Sequence, residues 1–140
     1  MNKPSKPEQI EALISWNLRE LALRHTKMEL IDNLGKKTLR IPYEKVLNVT
    51  RSEIKDYLKQ HYSITDLVPP EPSERYPDNL FAEKIDNGYI LYYRDYGRIC
   101  DSEFIEDDDK LLDVFIKHCI DGNCTGYNFD KAPDNQDSGL

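Results

Sequence analysis

Two turn signals inside residues 80–105 constrain this chain more than any other feature of it. Asn87-Gly88 stands between Ile85-Asp86 and Tyr89-Ile90, a strong sign of a two-residue β-hairpin loop. Gly97-Arg98 stands between Tyr96 and Ile99 and fits a turn with glycine first. Together they predict a three-stranded antiparallel meander over residues 80–86, 89–96 and 99–105. Side chains alternate across a strand, so a turn that sets the register also sets which residues share a face.

With these loops, Ile85 faces Ile90, Glu83 faces Tyr92 and Phe81 faces Arg94. Across the second hairpin, Tyr92 faces Glu103 and Arg94 faces Asp101. One face then collects Phe81, Glu83, Tyr92, Arg94, Asp101 and Glu103, and the other Leu80, Ala82, Leu91, Tyr93, Cys100 and Phe104. The second set predicts the core face. The first set reads either as a solvated surface with cross-strand ion pairs, Arg94 with Asp101 foremost, or as a binding patch, because aromatics and Arg anchor interfaces. Ile85, Ile90 and Ile105 lie on it too, so it also reads as a second core covered by the first-half helices.

Helices flank the meander. Residues 7–25 predict one helix, with Pro7 in its first turn and a stripe of Ile10, Leu13, Ile14, Leu18, Leu21 and Ala22. Trp16 and Leu23 sit off that stripe. Residues 26–49 stay open between helix and strand: a helical stretch to Leu34, a stop at Gly35, a short strand over 38–41, and a helical turn from Pro42. Thr50 and Glu53 form a capping box for a helix over 51–61, with Ile54, Tyr57, Leu58 and His61 on one face. Residues 107–120 predict the closing helix. Asp107, Asp108 and Asp109 crowd its first turn, and Leu112, Phe115, Ile116 and Cys119 form its stripe.

Four prolines within 68–79 forbid a helix there and make a linker. The 140 residues support one α+β domain over 1–125: N-terminal helices over 7–67, the linker, then strands and helix over 80–120, with 126–140 as a frayed tail.

Charge narrows the function. Residues 1–60 hold 12 basic and 8 acidic side chains, a balance of +4, whereas residues 61–140 hold 7 basic and 18 acidic, a balance of −11. An acidic half repels phosphate and attracts a basic partner; equally, the acid serves solubility. The chain lacks a long apolar run and opens on a polar stretch, so neither a membrane span nor a secretory signal is expected. Three cysteines, Cys100, Cys119 and Cys124, suit a reducing cytoplasm better than a disulfide framework.

Catalytic signatures are missing. There is no G-x-S-x-G elbow, no P-loop and no dinucleotide fingerprint. His25, His61 and His118 lack paired metal spacing, His118-Cys119 with Cys124 lacks a fourth ligand, and the acids over 106–109 lack an EF-hand's alternation. No metal, cofactor or enzymatic activity is expected. Asn48-Val49-Thr50 is a glycosylation sequon, but Thr50 is engaged as a cap. Residues 42–61 outline a helix-turn-helix with Arg51, Lys55 and Lys59 exposed, a weaker pointer to DNA.

The run Asn87-Gly88-Tyr89-Ile90-Leu91-Tyr92-Tyr93-Arg94-Asp95-Tyr96-Gly97-Arg98, then Ser102-Glu103-Phe104-Ile105 and acids leading into Leu111-Leu112, resembles small bacterial immunity proteins. These neutralise the toxic C-terminal domains of polymorphic toxins, including those of contact-dependent growth inhibition. The likeness covers residues 76–120, about a third of the chain. It implies a cytoplasmic, non-enzymatic protein, a monomer or weak dimer, that occludes a cognate toxin stoichiometrically. The expected partner is a basic nuclease domain, with neither nucleic acid nor membrane bound. Glu83, Asp101, Glu103, Asp107, Asp108 and Asp109 are the expected toxin-binding acids, with Tyr92 and Arg94 as anchors. The alternatives are a protein-binding regulatory or adaptor domain and a DNA-binding regulator using residues 42–61.

Overall fold

The computed structural model describes residues 3–26, 43–71, 80–95, 98–123 and 125–131. Helices α1 (Lys6–Ile14) and α2 (Leu18–Thr26) are followed by a 3₁₀ turn (Tyr43–Lys45), α3 (Arg51–His61) and α4 (Ile64–Leu67). Strands β1 (Leu80–Ile85), β2 (Gly88–Asp95) and β3 (Arg98–Ile105) then form one antiparallel sheet in the order β1-β2-β3, before α5 (Asp108–Asn123). The α+β class and the meander with its closing helix are as the sequence predicts. The readings of residues 27–42, of the prolines within 72–79, of Tyr96-Gly97, of Cys124 and of 132–140 lie outside the described residues.

The chain divides into two compact units, one of residues 1–57 with 118–140 and one of residues 58–117. In the first, the expected single helix over 7–25 is two. Ser5 caps α1, accepting the Glu8 N–H at 3.3 Å. The helix stops because Trp16 takes a left-handed φ of +62°. Its N–H donates to the Leu13 carbonyl at 3.4 Å, and the Asn17 N–H reaches the Ala12 carbonyl at 2.9 Å. This is the Schellman ending, with Trp where glycine is usual, at a cost of about 1 kcal/mol. The ring meets His118 edge-on, 5.5 Å between centroids. Gly122 leaves room for it: a Cβ there would stand 2.1 Å from the indole.

The apolar stripe survives the break, with Ile10, Leu13, Leu18, Leu21 and Ala22 buried. Among them Gln9 is fully buried. Its amide donates to the Pro4 carbonyl and to Asn48 Oδ1, both at 2.8 Å, and its Oε1 accepts the Asn48 N–H at 2.9 Å. We expect Gln9→Leu to cost about 2 kcal/mol in urea unfolding, because it strands the Pro4 carbonyl and the Asn48 backbone without partners.

The capping box of α3 is present: Glu53 N–H donates to Thr50 Oγ1 at 3.1 Å, and Thr50 N–H to Glu53 Oε1 at 3.0 Å. Ile54 is buried. The expected frayed tail is corrected in part. Phe129 is 2% exposed, its carbonyl accepts the Arg51 N–H at 2.6 Å, and Arg51 pairs with Asp130 at 2.7 Å. A helix's first N–H groups have no partner within the helix; here the later chain supplies one.

His118 adds a pH dependence. Burial lowers its pKa below the ordinary 6.5, opposed by Asp121. A folded-state value below the unfolded one means that the unfolded chain binds the proton more tightly. Stability is therefore complete above 6.5 and falls as pH drops from there towards the folded value. Thermal midpoints taken from about pH 8 down to about pH 5 should show this decline, and His118→Phe should remove it while keeping a ring beside Trp16.

In the second unit, Leu80, Ala82, Leu91 and Ile105 are buried from the sheet, and Leu111, Leu112, Phe115 and Ile116 from α5. The register differs from expectation in two ways. The first loop is Asp86-Asn87, and Gly88 already pairs with Ile85, so Phe81 faces Tyr92 and Glu83 faces Ile90. In the second hairpin Arg98 belongs to the strand, opposite Asp95. A bulge between Tyr93 and Arg94 leaves Cys100 without an opposite residue. That one extra residue reverses the faces of residues 101–105.

Candidate protein-binding surface

The bulge rearranges the expected site. Glu83, Tyr92 and Arg94 keep their common face. Tyr92 stacks on Phe81, with centroids 4.8 Å apart and planes 18° from parallel, and its hydroxyl lies 3.5 Å from Glu83. Ile99 and Phe104 join this face, opposite Arg94 and Ile90, and are 58% and 46% exposed. Phe104 is thus corrected from core to surface, and Cys100 is exposed at the bulge. The face offers aromatic and aliphatic surface around one guanidinium, a composition suited to protein contact.

Asp101 and Glu103 move to the opposite face, with Tyr89, Leu91 and Tyr93. Asp101 stands opposite Tyr93, not Arg94. The Tyr93 hydroxyl donates to Glu103. Burial, then that bond and the charge of Asp101, push the Tyr93 phenol well above its ordinary value. Tyr89, on the same face, donates its hydroxyl to Asp108, and that bond, with burial, raises its phenol to about 12. Both phenols thus stay protonated as donors, each fixing one carboxylate.

The start of α5 carries the other acids, each held by a partner. Asp107 is the cap: its Oδ1 accepts the Lys110 N–H at 2.9 Å. Asp109 pairs with Lys59 at 2.6 Å, and Glu106 with Lys110 at 2.7 Å. These acids and Asp86 line a recess of about 440 Å³, with Ile85 and Tyr89 in its wall. A second recess of about 340 Å³ is lined by Leu58, Tyr62, Ile64, Leu67 and Leu112, with Lys59 and Asp109 beside them. The first recess, lined mostly by carboxylates, suits a cationic side chain, and the second, apolar beside Asp109, suits an aliphatic one.

Sequence reasoning missed Tyr89, Tyr93, Ile99, Phe104, Asp86 and Glu106 as members of this surface. The exposure of Phe104 and the tie of Tyr93 to Glu103 were readable only with the correct parity of β3, whereas the tie of Tyr89 to Asp108 depends on where α5 begins. Of the helix-turn-helix outline over 42–61, the described residues hold a 3₁₀ turn (Tyr43–Lys45) followed by α3, in which Arg51 and Lys59 are ion-paired with Asp130 and Asp109. Among the described residues, no group of three His, Cys, Asp or Glu side chains could hold a metal ion, and no helix is long and apolar enough to cross a membrane. Burial raises the Cys119 thiol to about 12, leaving it unreactive.

The fold and surface define an α+β chain with a three-stranded antiparallel sheet and an acidic, aromatic exterior. No family model matches it, and neither a curated protein nor a solved structure matches it.

Proposed function

We propose that this chain is an immunity protein that binds a cognate toxin domain, a basic nuclease, and neutralises it by stoichiometric occlusion, without turnover, in the cytoplasm. One observation carries the reading. The 58–117 unit holds 7 basic and 14 acidic side chains, a balance of −7, whereas the other unit holds 12 of each. The whole net charge of the chain thus belongs to the unit with the aromatic sheet face and the carboxylate-lined recess. A nuclease groove must be basic to hold phosphate, and an acidic ligand reaches such a groove quickly and competes for it.

Affinity recovery from native cells, followed by expression of the bound chain alone, tests the reading. The expected result is a basic domain that arrests growth alone, is silenced by co-expression, and gives an inhibition titration that breaks at one-to-one. A partner harmless by itself would overturn the reading in favour of an adaptor, which the exposed Ile99 and Phe104 would also suit. Recovery of DNA would overturn it in favour of a regulator.

A further inference from the structure

The outer strands of the sheet are β1 and β3. On β1 the chain itself supplies one bond, Ala82 N–H to the Pro69 carbonyl at 3.0 Å. On β3 every residue before Ile105 is exposed, and among the described residues no strand lies beyond it. The Ser102 N–H donates instead to Asp101 Oδ1, at 2.8 Å. A carboxylate therefore holds the place where a neighbouring strand's carbonyl would sit.

We infer that residues 101–105 of β3 are a docking edge for an extended segment of a basic partner protein, added as a fourth strand. The inference rests on the reading of a basic partner given above and names how that partner is held. Edge strands are templates for pairing unless guarded, and charge and bulges are the usual guards. Both are present here: Cys100 lies at the bulge that ends the regular stretch, and Asp101 covers the Ser102 N–H.

The side chains select the occupant. Asp101 and Glu103 share one face, two residues apart, while Ser102 and Phe104 share the other. An added strand meets two carboxylates on one side and a hydroxyl and a ring on the other. Cationic residues at alternate positions, with β-branched residues between them, match both faces. A second copy matches them less well in the registers that pair residues 101–103. Antiparallel self-pairing about Ser102 sets Asp101 against Glu103, and pairing about Glu103 sets that carboxylate against itself, both like-charge contacts. A cation that draws the Asp101 carboxylate away frees the Ser102 N–H for the incoming carbonyl, so the charge that guards the edge also selects what opens it. Glu103 can bind a cation and keep the Tyr93 hydroxyl, because a carboxylate has several acceptor positions.

The probe is a capped six-residue peptide alternating Lys and Val, titrated to millimolar concentration against the full chain, with residue-resolved amide exchange as the readout. The expected result is saturable protection of the Ser102 and Phe104 amides, and binding weakened about tenfold by D101K/E103K. The neutral pair D101N/E103Q keeps the hydrogen-bonding shapes and should fall between, and it decides the matter if the reversed pair fails to fold. Three results would overturn the inference: no protection at Ser102 and Phe104, equal protection by the matching Glu-Val peptide, or changes confined to residues 106–110. Toxin rescue is scored separately in cells. Rescue without strand protection would remove the docking edge and leave the immunity reading, and protection without a toxic partner would do the reverse.

Discussion

Gly88→Ala should cost about 3 kcal/mol and should loosen the β2–β3 pairing before anything else. A Cβ at this position would stand 2.4 Å from the Ile105 carbonyl oxygen and about 3 Å from the Phe104 ring. The carbonyl is backbone at the end of β3 and cannot swing aside as a side-chain tip would. The backbone φ of +156° is also one that L side chains rarely adopt. Strain of this kind costs about 1–3 kcal/mol, and forced repacking adds a similar amount. Urea unfolding gives the total, and amide exchange at Tyr89 and Ile105 shows where the pairing opens first. Asn87→Ala is the control. A two-residue loop of Asn87-Gly88 in the favoured hairpin turn would need a positive φ at Asn87. Here Trp16 alone, among the described non-glycine residues, has one. Asn87→Ala should therefore cost under about 0.5 kcal/mol, as at an ordinary exposed site. Equal losses at the two positions would contradict the observed loop.

The same turn shows what was legible in the sequence. Reading Asn87-Gly88 as the loop moved the pairing by two residues. An even shift changes partners but preserves faces, so β1 and β2 came out with Leu80, Ala82 and Leu91 inward as they are. The bulge at Cys100 is an odd shift, and no residue type announces it. It carried Asp101 and Glu103 to one face and Phe104 to the other, so the expected acidic and aromatic face became two surfaces. Capping chemistry is local, and the Thr50–Glu53 box was readable for that reason; Ser5 and Asp107 also accept a backbone N–H three residues on, Asp107 from just before α5 and not within its first turn. The break at Trp16 was not readable. Glycine or proline normally marks such an end, and the apolar stripe resumes at Leu18 as though the helix continued. Phe129 was lost for another reason. One ring in a polar segment gives no periodicity, and its burial depends on residues some eighty positions away, Arg51 among them.

Neutralising the acids of the 58–117 unit should slow association with a basic partner about a hundredfold at low salt and change dissociation far less. Replacing Asp101, Asp107, Asp108 and Asp109 by Asn, and Glu103 by Gln, leaves 7 basic and 9 acidic side chains in that unit, a balance of −2 in place of −7. Amides suit the purpose better than lysines because most of these carboxylates have local work. Asn still caps α5 where Asp107 does, and amide oxygens still accept from Tyr89 and Tyr93. The Lys59–Asp109 pair is about half exposed on both sides, so its loss should cost well under about 1 kcal/mol. Long-range steering, by contrast, depends on summed charge and raises on-rates by about ten- to a thousandfold. It fades once salt shortens the screening length to about 8 Å, so the two proteins' on-rates should converge as ionic strength rises. Glu20→Gln with Glu44→Gln, both exposed in the charge-balanced unit, should leave the on-rate nearly unchanged. If the control slowed association as much as the five amides did, net charge alone would be at work. If the five amides changed nothing, the partner would have to dock elsewhere, and the concentration of acid in this unit would serve solubility.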